Sequence, residues 1–142
     1  MAFEVDRSRT IITAMILGRR ITAMDVAWLR REVFGSGEVS REAADELFAV
    51  ECAGLANAPE WTEFFVEMIV EHVVWQSGEP GVLGEAESEW LVERVNQCGS
   101  SNALAALAAA LAEARRAPAS LVAAAQTRVW PVAAALLQAQ AV

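Results

Sequence analysis

The stretch PEWTEFFVEMIVEHVVWQ, residues 59–76, leaves the chain few folds to choose from. At helical spacing Trp61, Phe64, Phe65, Met68, Ile69, His72 and Val73 make a broad apolar face, which Val66, Val70 and Val74 widen. Only Glu60, Glu63, Glu67 and Glu71 fall on the remaining stripe. A helix apolar over most of its circumference has to be surrounded. The rest of the sequence reads as what surrounds it.

Start and stop signals divide that remainder into further helices. Thr22 and Asp25 have the spacing of a capping box, and Met24, Val26, Leu29 and Val33 follow at helical spacing. This predicts a helix over 22–34, ended by Gly35 and Gly37. Ser40 caps a second helix to Cys52, with Ala44, Leu47 and Phe48 inward and Gly54 as its end. Pro59 suits the first turn of the central helix. After the loop SGEPGVLG, a helix over 85–98 turns Trp90, Leu91 and Val95 inward, with Gly99 as its stop. Ser101 or Asn102 caps an Ala/Leu helix carrying Leu104, Leu107 and Leu111 on one stripe, and Pro118 and Ser120 open a last region that Pro131 interrupts. No convincing alternating strand appears, and TIITAMILG (10–18) is open between strand, helix and extended arm.

The expectation is an all-α fold: one compact domain over 1–142, a bundle of five to seven helices. Residues 1–20 are a candidate N-terminal arm, 21–98 two helix–loop–helix units, and 99–142 Ala-rich helices. VSREAADELF (39–48) and VLGEAESEWL (82–91) align, each behind a helix and a glycine-containing loop, as repeated units would.

The loop GSGEV (35–39) has the glycine and the apolar plug of a calcium-binding EF-hand loop. With Gly37 at the sixth position, however, Glu32, Phe34, Ser36 and Ala43 occupy the first, third, fifth and twelfth. Phe34 binds no cation and Ala43 replaces the bidentate carboxylate. In the second copy Trp75 and Ala86 take the first and last positions. Both units are therefore degenerate, keeping the scaffold and lacking the ligands.

GEVSREAADELF, with EWTEFFVEMIVEHVVW and EAESEWLVERV, resembles the bacterial TerB-like (tellurite-resistance) helical domains and uncharacterised proteobacterial relatives over about residues 20–98. The resemblance implies an all-helical fold, a link to stress responses and, in some members, metal binding through acidic side chains. Gly35 and Ser36 stand where that family often has Asp.

Charge narrows function further. All eleven basic residues are Arg, so Schiff-base chemistry and a Walker-type phosphate loop lack their lysine. The Ala and Arg bias fits a GC-rich bacterial genome. The net charge of −8 is concentrated: residues 36–98 hold fourteen acids against two Arg. Such a middle repels nucleic acid and attracts cations, a basic partner or the chain's own ends. Cys52 and Cys98 read as two buried thiols in a reducing cytoplasm, and one His is too few for a usual zinc site. No signal peptide is apparent, and ALAALAAALA (103–112) is about half of what spans a bilayer.

These readings rank a non-catalytic interaction module first, engaging a protein partner or a second copy through the Ala/Leu-rich helices. It needs no cofactor and no catalytic residue. The alternative is a divalent-cation binder using Glu63, Glu67 and Glu71, because stacked like charges cost about 0.2–0.5 kcal/mol per pair unless something offsets them. A small hydrolase using His72 comes third. His72 lacks the Glu-x-x-His spacing of di-metal bundles, since Ile69 stands three residues before it.

Overall fold

In the computed structural model the described residues are Thr13 and 17–123. The architecture is the expected helical bundle. Helix α1 (Ala23–Trp28) continues through a wider π-type turn, Leu29–Val33. Helix α2 is Arg41–Cys52, and α3 is Pro59–Val70, extended by a second π-type turn, Glu71–Gln76. Helices α4 (Glu85–Cys98) and α5 (Ser101–Glu113) complete it, and a helical turn begins at 119.

The caps follow local chemistry. Thr22 Oγ1 accepts from the Asp25 N–H and Asp25 Oδ2 accepts from the Thr22 N–H, the reciprocal pair that the spacing predicts. Ser40 caps α2 through the Ala43 N–H, and Gly99 closes α4 in the left-handed conformation. The cap of α5 is Ser100, one residue earlier than expected, accepting from the Ala103 N–H.

Helix α3 is the centre. Trp61, Phe64, Phe65 and Ile69 are wholly buried, as its periodicity demands. Phe48 of α2 meets Phe65 edge-on at 5.0 Å and Trp90 of α4 at 5.5 Å, and Phe34 meets Phe64 at 5.6 Å. Such edge-to-face pairs add about 0.5–1.5 kcal/mol beyond burial. Helix α5 lies against α3 with its alanines inward: Ala103, Ala106 and Ala110 are fully buried beside Leu107, while Leu104 and Leu111 are half-buried. The small side chains thus serve close packing within the chain.

Several expectations need correction. Met24, placed on the inner face of the first helix, is 82% exposed, and Val26 and Leu29, with Trp28 and Val33 partly buried beside them, carry the contact. Cys52 is exposed and Cys98 half-buried, so neither is a core thiol. Arg20–Ile21 (β1) and Ala56–Asn57 (β2) pair in parallel, Arg20 opposite Ala56, and two residues are too few to leave an alternating pattern. Residues 1–12, 14–16 and 124–142, with most of the expected arm and the last helix, lie outside the described residues.

The two helix–loop–helix segments are present, and their loops are built differently. In the first, Gly37 takes φ +81°, which only glycine adopts freely, and a Cβ on Gly35 would meet the Arg31 carbonyl oxygen at 2.6 Å. In the second, backbone from beyond α5 clamps the loop. Leu83 N–H donates to Arg116 O at 2.9 Å, and Arg115 N–H to Gly81 O at 2.7 Å. The second helices of the two units, α2 and α4, run side by side.

One buried polar node ties three helices. Glu51 Oε1 accepts from Trp61 Nε1 at 2.8 Å and from Asn102 Nδ2 at 2.9 Å, and Asn102 Oδ1 accepts from the Thr62 hydroxyl at 3.1 Å. Glu51→Ala strands both nitrogen donors and is expected to cost at least about 2 kcal/mol in urea unfolding. Glu51→Gln, which keeps an acceptor, is expected to cost distinctly less.

Candidate functional site

Two places along α3 carry polar chemistry. The first is the fastening of the 35–39 turn. Gln76, at the end of the π-type turn, accepts from the Val39 N–H at 2.7 Å and donates to Gly37 O at 2.7 Å. Val39 itself is buried and its carbonyl lies 2.9 Å from His72 Nδ1. Side chains of α3 therefore occupy the backbone groups of the turn. The wide turn shapes this meeting: Ser77 N–H reaches back five residues to His72 O at 2.9 Å.

His72 is buried, and both ring nitrogens are engaged. Arg41 Nε donates to Nε2 at 3.0 Å, so Nδ1 carries the hydrogen and donates to Val39 O. The ring is thus neutral. Burial holds its pKa below the ordinary 6.5, and the Arg41 guanidinium pushes the same way against the Val39 hydrogen bond. Trp90 packs edge-on against the imidazole at 5.5 Å, and the Arg41 guanidinium sits over the Trp90 ring at 4.6 Å. Asp45 Oδ1 accepts from Trp90 Nε1 at 2.8 Å and from Arg94 Nε at 3.1 Å.

The hydrolase reading of His72 requires a nucleophile and an open ring nitrogen. Ser77 Oγ is 3.4 Å from Nε2, but its hydroxyl donates to His72 O at 2.6 Å. Arg41 already fills Nε2, and a backbone carbonyl stands where an orienting carboxylate would. These bonds are those of a structural histidine.

The second place is a groove of about 530 Å³ between α3 and α5. Its rim holds Glu63, Glu67 and Glu71, and α5 adds Glu113. Its floor is apolar, formed by Val66, Val70, Trp75 and Ala109. Three of the carboxylates have partners. Glu67 pairs with Arg30 at 2.7 Å, Glu71 accepts from Gln76 Nε2 at 3.1 Å, and Glu113 accepts from Trp75 Nε1 at 3.1 Å. The Arg30–Glu67 pair is half in solvent and contributes at most about 1 kcal/mol. Among the described residues, no three His, Cys, Asp or Glu side chains converge as a cation-binding group.

Sequence reasoning found the glutamate stripe and missed its setting. Glu113 and Trp75 join it only across the α3–α5 contact. Gln76 ends the helical pattern as an unremarked polar residue, and nothing local marks it as the clamp of a turn far upstream.

The neutral, buried His72 makes stability pH-dependent. The unfolded chain takes up a proton below about 6.5 where the folded chain resists it, so stability is full above that value. It falls as pH drops toward the lowered folded pKa. In chemical unfolding at a series of pH values, His72→Gln is expected to lose less stability than the wild type between neutral and mildly acidic pH. No family model matches the chain, and neither the curated proteins nor the solved structures contain a match to it.

Proposed function

We propose that the chain is a non-catalytic helical interaction module that takes a basic, amphipathic segment of a protein partner into the groove between α3 and α5. The observation that carries this reading is the combination of an apolar floor with a four-carboxylate rim. A helix with Leu or Ala on one face and Arg flanking it complements both, the apolar face giving affinity and the charges giving steering and register. The concentration of acids in residues 36–98 extends the same field beyond the groove. The TerB-like resemblance over about residues 20–98 belongs to this reading, as a helical module linked to stress responses.

A second reading, a divalent cation held by Glu63, Glu67 and Glu71, rests on their lining one groove with Glu113 and requires these side chains, which do not converge, to draw together around the ion. The two readings separate in a thermal melt with EDTA, Ca²⁺, Mg²⁺, Mn²⁺ and Zn²⁺ in parallel. An interaction module gives a flat panel. A bound cation at 100 times its dissociation constant adds about 2.7 kcal/mol and raises Tm for that ion alone.

The interaction reading is tested with a synthetic amphipathic helix of Leu, Ala and Arg, titrated by fluorescence anisotropy. Binding is expected at low salt, weakening as ionic strength rises. Glu63→Arg with Glu67→Arg is expected to weaken it more than about tenfold. Binding that ignores both salt and these substitutions contradicts the reading.

A further inference from the structure

The two cysteines of the chain stand at matching ends of neighbouring helices. Helices α2 and α4 run parallel: Arg41 lies over Trp90, and one turn further along each helix Asp45 pairs with Arg94. Two turns beyond Asp45 lies Cys52, the last residue of α2. One to two turns beyond Arg94 and Trp90 lies Cys98, the last residue of α4. The register brings the two helix ends together, and the Cys52 thiol lies close enough to Cys98 to feel it electrostatically. Cys52 is exposed and Cys98 half-buried, so an oxidant reaches the pair from solvent.

We propose that Cys52 and Cys98 form a reversible dithiol–disulfide pair that staples the C-terminal ends of α2 and α4. The oxidant is a small-molecule disulfide, such as oxidised glutathione. One thiolate of the pair attacks a sulfur of the oxidant, the oxidant's S–S bond breaks, and one glutathione leaves as its thiolate. The second cysteine loses its proton to solvent and attacks the mixed disulfide, forming the Cys52–Cys98 bond and releasing the second glutathione. Two protein thiols are oxidised and one disulfide is reduced to two thiols.

The setting gives this pair a particular character. Partial burial, the neighbouring Cys98 and the nearby charge of Glu51 push the Cys52 thiol up to about 12. Cys52 also ends α2, where the helix dipole disfavours a thiolate. Attack by Cys52 is therefore slow at neutral pH. A poor thiolate is equally a poor leaving group, so the disulfide, once formed, resists reduction. The staple suits a lasting change of state rather than a rapid peroxide response. It closes a loop that includes the whole of α3, which restricts the unfolded chain. Each helix end is followed by a turn, through Gly54 and through Gly99, able to absorb a small adjustment.

The test is incubation of the full chain with a graded ratio of oxidised to reduced glutathione, read by intact mass, thiol titration and peptide mapping. The expected product is monomeric, lighter by two hydrogens, titrates no thiols and links the peptides of Cys52 and Cys98. Its Tm is expected to rise by several °C and to return on reduction. Cys52→Ser and Cys98→Ser are each expected to stop at one glutathione adduct, with no rise in Tm. Disulfide-linked dimers, two stable glutathione adducts on the wild type, or an unchanged mass where a control dithiol peptide is oxidised would each overturn the proposal.

Discussion

Burying α3 on nearly every side is the constraint from which the other features follow. Trp61, Phe64, Phe65 and Ile69 have no contact with water, so neighbours must stand on most of the helix circumference. Alanine on α5 lets one neighbour come close, and the aromatic rings of α2 and α4 fill the other side. Each polar group drawn in with the helix then needs a partner, because an unpaired buried donor or acceptor costs about 1–3 kcal/mol. Glu51 and Asn102 meet that need near the start of α3, and His72 with Gln76 meets it near the end. The glutamate stripe is what remains for solvent.

The turn at 35–39 shows how a scaffold shape and a chemical function come apart. Its glycines are required by geometry alone: a positive φ at Gly37 and a close backbone approach at Gly35. What holds it is an amide and an imidazole from α3. A carboxamide both donates and accepts, so Gln76 satisfies Val39 N–H and Gly37 O together. Neutral imidazole donates at one nitrogen and accepts at the other, so His72 links Val39 O to Arg41. The bonds of His72 are thereby taken up by the fold, while the glutamate stripe, joined to the clamp only through the Glu71–Gln76 bond, faces the groove. The proposed function follows that division.

Local signals in the sequence were enough for the helices and most of their ends. The capping box at Thr22, the Ser40 cap, Pro59 and Gly99 all act within a few residues, and such chemistry survives any tertiary context. Periodicity likewise placed the α3 core. What failed depended on partners distant in the chain. Met24 fits the apolar pattern of α1, yet the bundle covers only the side bearing Val26 and Leu29. The leucine stripe of α5 drew attention, while the alanines beside it make the closest packing. The thiols read as core residues because cysteine usually is one, and only the register of α2 against α4 shows them to be surface neighbours. Glu63, Glu67 and Glu71 were legible as a stripe, but the floor beneath them needed α5.

The central claim is that partner recognition resides in the α3–α5 groove while the 35–39 turn is purely structural. Amide chemical-shift mapping tests both halves at once, with the Arg-bearing amphipathic helix and, separately, with Ca²⁺. The account predicts that the peptide gives its largest shifts at 62–75 and 109–113 and smaller ones at 35–39, which Glu71 and Gln76 link to the rim, with no response to Ca²⁺. Peptide-induced shifts centred away from the groove, or Ca²⁺-induced shifts at 35–39, would contradict it.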